Sequence, residues 1–141
     1  MLLPPLLYRP DAAAYRMHFI RHYCMTPVVT FDSISVEFFP EVFEHAFYRD
    51  SNPTANDKAV FDLARAQRLN WIRAVLEEPT CNLYRRTMPG HRTRRIALEP
   101  TTPYAVIIQI DTRSLTRARF ITAYIVDSTR ALQGMISNPR W

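Results

Sequence analysis

The 141-residue chain reads as an α+β domain: two N-terminal helices packed on a four-stranded antiparallel meander sheet, with a short C-terminal helix. Three observations predict this. Apolar residues make up 48% of the chain, enough for one packed core at a length that leaves little for a second. The apolar period is near 3.6 before Pro79 and near 2 after it. The strand candidates beyond Pro79 are joined by short connections, which gives a meander with helices on one face.

The elements follow in order. Residues 1–30 hold four of the eleven prolines and little periodicity, so they form an irregular arm with a short helix near Ala12–Tyr23. Residues 31–141 form the domain. The β-branched stretch Val28–Val36 (VVTFDSISV) supplies one short strand or two. Pro40 suits a first helical turn, and Glu41 and Glu44 favour its positive N-terminal end. Val42, Phe43, Ala46 and Phe47 then share one apolar face, with His45 at its edge. After the loop SNPT, Asn56 or Asp57 caps a longer helix from Lys58 to Glu77, which Pro79 stops.

Cys81–Thr87 and Thr93–Glu99 read as strands of a hairpin turned by Met88-Pro89-Gly90-His91. Tyr104–Asp111 is the most apolar strand and belongs at the centre. Arg119–Asp127 is the last, with Ile121, Ala123 and Ile125 on one side and Phe120, Thr122, Tyr124 and Val126 on the other. Asp127 or Ser128 caps the terminal helix. The open sheet face then carries Thr122 and Tyr124, together with some of Arg85, Arg86, Arg94 and Arg95. One residue of slip exchanges the arginines between faces.

Charge narrows the function. Of the 18 basic residues 17 are Arg, and net charge is +5. Residues 1–80 carry 8 basic and 10 acidic side chains, whereas residues 81–141 carry 10 and 3. The cations therefore concentrate on the sheet, where planar guanidinium groups suit a phosphate-rich partner. Arg117, in the basic connector Arg113–Arg117, and Arg119, at the start of the last strand, extend this surface. The chain has only two glycines, which excludes a phosphate loop or a dinucleotide-binding turn. His18 and His22 lie four apart, but no further ligand follows at metal-site spacing. Two cysteines, Cys24 and Cys81, allow one disulfide but make no framework, and a reducing compartment is expected. No apolar run is long enough to span a membrane, and Pro4 and Pro5 interrupt the start, against a secretory signal.

Three segments in this order resemble phage-associated nucleases of the barnase–EndoU–colicin–RelE superfamily. They are the helix VFEHAF, the helix RAQRLNWIRAVLEEP ending at the sheet, and the strand RFITAYIVDS with its Thr-Ala-Tyr. The resemblance covers residues 38–141. It implies a metal-independent ribonuclease without cofactor, often a toxin that cuts tRNA or mRNA. His45 matches the helix histidine of that pattern. Thr122 and Tyr124 match its final-strand motif. The pattern also places basic residues on the hairpin strands, where Arg85 and Arg95 are favoured for catalysis and Arg86 and Arg94 for RNA contact. His91, in the hairpin turn, offers a further proton donor or RNA contact.

The chemistry is compatible with these residues. An RNA 2′-OH can attack its own phosphodiester once a base takes its proton; imidazole changes charge near neutral pH, and arginines offset phosphoryl charge. A cytoplasmic site of action, or delivery into a target cytoplasm, and an acidic antitoxin or immunity protein as partner complete the expectation. The alternative is a non-catalytic RNA-binding or protein-interaction module.

Overall fold

The computed structural model describes residues 1–141. The fold is α+β, built on a six-stranded mixed sheet. Helix α1 (Ala12–Phe19) runs into a wider turn over Ile20–Cys24, and Asp11 caps it by accepting from the Ala14 N–H at 2.8 Å. Two short strands follow, β1 (Val28–Val29) and β2 (Ser35–Glu37). A 3-10 turn over Pro40–Val42 leads into α2 (Phe43–Ala46). A separate two-stranded ribbon joins β3 (Tyr48–Arg49) to β4 (Val60–Phe61). Helices α3 (Leu63–Gln67) and α4 (Leu69–Glu77) meet at a kink on Arg68. Then come β5 (Asn82–Met88), β6 (Arg92–Glu99), β7 (Tyr104–Ile110), β8 (Arg117–Ile125) and α5 (Thr129–Ile136). The large sheet has the order β1-β2-β8-β7-β6-β5.

The expected meander β5–β8 is present and antiparallel throughout. The sheet is wider than four strands because β2 pairs in parallel with β8, Ser35 opposite Arg117 and Glu37 opposite Arg119. Periodicity reports whether a segment is a strand, not which distant strand it joins. The longer helix begins later than expected: Asp62, not Asn56 or Asp57, caps it through the Arg65 N–H at 3.1 Å. Of the two expected caps on the terminal helix, Ser128 is the one used.

Residues 1–30 include the short helix α1 and pack against the rest of the chain. Leu7, Tyr15, Phe19, Tyr23 and Val28 are buried in the main core. The chain is pinned by Leu7 N–H donating to Gln67 O (2.8 Å), Trp71 Nε1 to Pro4 O (2.7 Å) and Tyr23 Oη to Leu69 O (2.6 Å). Prolines there limit backbone donors without preventing apolar side chains from packing.

The sheet has two faces. The inner face packs on α1–α4, around an aromatic group in which Phe19 meets Tyr23, Phe38, Phe43, Phe47 and Phe120 with centroids 5.6–6.3 Å apart. The outer face is divided. Its lower half holds Tyr84, Ile96, Leu98, Ala105 and Ile107, which pack with Val126 and Met135 around α5. Its upper half has no helix over it and forms the candidate site.

A bulge in β8 changes the expected alternation. Ile107 pairs with Thr122 and Ile108 with Phe120, so Ile121 is an extra residue. Phe120 and Ala123 therefore both join the inner core, while Ile121, Thr122 and Tyr124 face outward. Uniform alternation would have put Phe120 with Thr122 and Ala123 with Ile121.

Candidate nucleic-acid interface

Register assigns the arginines. Arg86 lies opposite Arg94, Arg94 opposite Gln109, Gln109 opposite Arg119, and Arg119 beside Glu37. A single polar row thus crosses five strands of the outer face. Arg92 and Arg117 sit one row higher on the same face. Arg117 donates to Glu37 at 2.9 Å, and Arg92 Nε to the Pro89 carbonyl at 3.0 Å.

This row is electrostatically unbalanced. Burial, then the charges of Arg92, Arg86 and Arg119, push the Arg94 guanidinium below its ordinary pKa. The buried Arg94 Nε has no hydrogen-bond partner, and neither does the buried Oε1 of neighbouring Gln109. Clustered like charge of this kind attracts an anion.

Helix α2 places the imidazole. Beyond Glu37 the free edge of β8 is flanked by the chain from Phe38 to Ala46. Phe43, Ala46 and Phe47 are buried there, which turns Glu41 and His45 outward, one turn apart. His45, Glu41, Arg94 and Arg119 line one open cavity of about 450 Å³, floored by Phe120 and Ile121. Phe39 and Arg119 also line an adjoining cavity of about 370 Å³ with Arg92, Gln109, Arg117 and Glu37. The two make one groove over the upper half of the sheet.

The groove brings together His45, Arg94, Arg117 and Arg119 of the residues expected from the sequence; Arg86 continues the row at the β5 side. Others lie elsewhere. Arg85 and Arg95 are on the inner face, the reverse of their favoured placement, because the hairpin register pairs them there. Arg95 is 1% exposed and donates to both Asp32 carboxylate oxygens, at 3.0 and 2.8 Å. It is a structural cation. Thr122 is half-buried one row below the arginines and does not line the groove. Tyr124 lies lower still, with the Arg65 guanidinium 5.0 Å from its ring centre, in a separate cavity shared with Asp62 and Arg68. His91 is exposed in the hairpin turn at φ 60°, facing a cavity with Arg85 and Trp141.

The sequence marks Glu41 only as a helix-end charge. Its signal was the four-residue spacing to His45. That spacing is legible, but its outward direction depends on which side of α2 meets β8.

No family profile, characterised protein or solved structure matches the chain. No group of three or more His, Cys, Asp or Glu residues is arranged to hold a metal ion. No helix is long and apolar enough to cross a membrane.

Proposed function

We propose that the chain is a metal-independent endoribonuclease whose active groove is the upper outer face of the sheet. The observation that carries this reading is that His45 and Glu41 line the same groove as Arg94 and Arg119. An imidazole, a carboxylate and two guanidinium groups thus share one cavity at the end of the cationic row.

Arg94 and Arg119 hold the scissile phosphate and offset charge that grows on its non-bridging oxygens. The Glu41 carboxylate accepts the 2′-OH proton as the 2′-oxygen bonds to phosphorus. The P–O5′ bond breaks, and the His45 imidazolium donates its proton to the departing 5′-oxygen. The products are a 2′,3′-cyclic phosphate end and a free 5′-OH. Arg92 and Arg117 extend contact along the strand. The substrate is tRNA or mRNA, and an acidic antitoxin or immunity protein covering the groove is the fitting restraint.

The test is incubation of tRNA and mRNA with the protein in EDTA. Cleavage with cyclic phosphate ends, lost in His45→Ala and Glu41→Gln, supports the reading. Binding without cleavage, indifferent to both substitutions, would leave the second reading, a non-catalytic RNA-binding module. The placement of Thr122 and Tyr124 outside the groove favours that alternative.

A further inference from the structure

A second cavity, of about 390 Å³, opens on the other side of the hairpin tip and is lined by Arg85, His91, Thr93, Asp111 and Trp141. Pockets of this size hold small organic ligands. Its construction is specific. The last three residues add to the edge of β5: Arg85 N–H donates to Pro139 O (2.8 Å), and Trp141 N–H to Leu83 O (2.9 Å). This lays the Trp141 indole over the inner-face arginines, with its centre 4.6 Å from the Arg85 guanidinium and 5.4 Å from that of Arg95. Phe31 flanks Arg95 in turn at 5.5 Å. The Arg95 charge is balanced by Asp32, whereas Arg85 has no acidic partner. Trp141 nevertheless stays 38% exposed, and with Arg85 it forms a wall of the cavity.

We propose that this cavity is a nucleotide-binding site, distinguished by Arg85, His91 and Trp141 from the outer-face groove that it adjoins at Asp111. The base lies as a further layer against the exposed part of the Trp141 indole, since every base offers a flat π-face. The phosphate meets Arg85 and His91, the only basic side chains of the wall. Asp111, whose Oδ1 already accepts the Arg113 N–H at 2.8 Å, stands where a base amino group finds an acceptor and a second phosphate is repelled. The site stands whether or not the groove cleaves RNA.

The two indole N–H signals of the protein make the test direct, since Trp71 and Trp141 are its only tryptophans. AMP is titrated into ¹⁵N-labelled protein. The Trp141 signal and the amides of Gly90–Thr93 are expected to shift, while Trp71, bonded to Pro4 O, stays in place. Stacking predicts that Trp141→Ala weakens AMP binding about tenfold or more, read from the Gly90–Thr93 amides. Trp141→Phe, which keeps an aromatic layer, is expected to stay within about threefold and guards against a folding defect. Arg85→Gln is expected to weaken AMP but not adenosine. The uncleavable strand (dA)₆ binding more tightly than AMP identifies a single strand as the ligand; equal affinity identifies a free nucleotide. An unmoved Trp141 signal at about 10 mM AMP, where a millimolar site is largely filled, overturns the proposal. So does inorganic phosphate shifting it as strongly as AMP.

Discussion

Asp32→Ala removes the only acidic partner of a guanidinium that is 1% exposed. In the wild type one Arg95 nitrogen, Nη1, donates to both carboxylate oxygens at 3.0 and 2.8 Å, and Asp32 is braced by the Thr30 hydroxyl at 2.6 Å. Breaking a fully buried pair by deleting one side costs about 3–5 kcal/mol, because the other charge is left uncompensated. The Asp32 side chain is one-third exposed, so water reaches part of the vacated space and the cost falls below that range, to about 2–3 kcal/mol. For a domain of this length that lowers Tm by about 5–10 °C. Urea denaturation at pH 7 measures it. Arg95→Met in the Asp32→Ala background should recover part of the loss, since the orphaned charge is then gone. Acid adds a second check. Burial raises the Asp32 pKa, but the hydrogen bonds from Arg95 and Thr30 and the Arg95 charge outweigh it, holding the carboxyl below its ordinary value. A depressed carboxyl stabilises the fold above its unfolded pKa, about 4, and loses that contribution as pH falls through the folded value. The gap between wild type and Asp32→Ala should therefore narrow in acid. A variant within about 0.5 kcal/mol of wild type at pH 7, or a gap unchanged by acid, would refute the reasoning.

Other consequences are open to measurement. Arg94→Gln and Arg119→Gln should each weaken RNA binding across sequences and reduce the slope of log affinity against log salt by about 1; an unchanged slope would remove that arginine from the phosphate path. Phe120→Ala, truncating a ring buried among Phe19 and Phe38, should destabilise the fold by about 3–5 kcal/mol in urea titrations, and a loss under about 1 kcal/mol would mean the aromatic core collapses around the gap. Burial pushes the Cys24 and Cys81 thiols up from 9.0 to about 11, so in native protein at pH 8 both should alkylate about a hundredfold more slowly than in urea.

Much of the fold was legible because its signals are local. The meander strands show period-2 patterning between Pro- and Gly-marked turns, and Pro79 ends the second helix where the period changes. What escaped depends on distant partners. Nothing in Ser35–Glu37 announces Arg117–Arg119 as its neighbour. Nothing local in RFITAYIVD shows that Ile121 is skipped by the ladder, and that one residue moves Phe120 into the core while Thr122 stays outside. The site behaved alike. His45 was readable from its helix edge, and the arginine-rich hairpin from composition. Choosing Arg94 over Arg95 required the register, because adjacent residues of a strand face opposite ways. Trp141 had no pattern of its own, since its position comes from pairing against β5.

The parallel joint between β2 and β8 also governs the order in which this chain can be assembled during translation. Residues 35–37 leave the ribosome some eighty positions ahead of their partners, which the Glu37–Arg117 bond spans. Such a distant closure is slow, and until it happens Phe19 and Phe38 have no Phe120 to cover them. A nascent chain stalled before β8 is therefore a sticky intermediate and a natural client for chaperones.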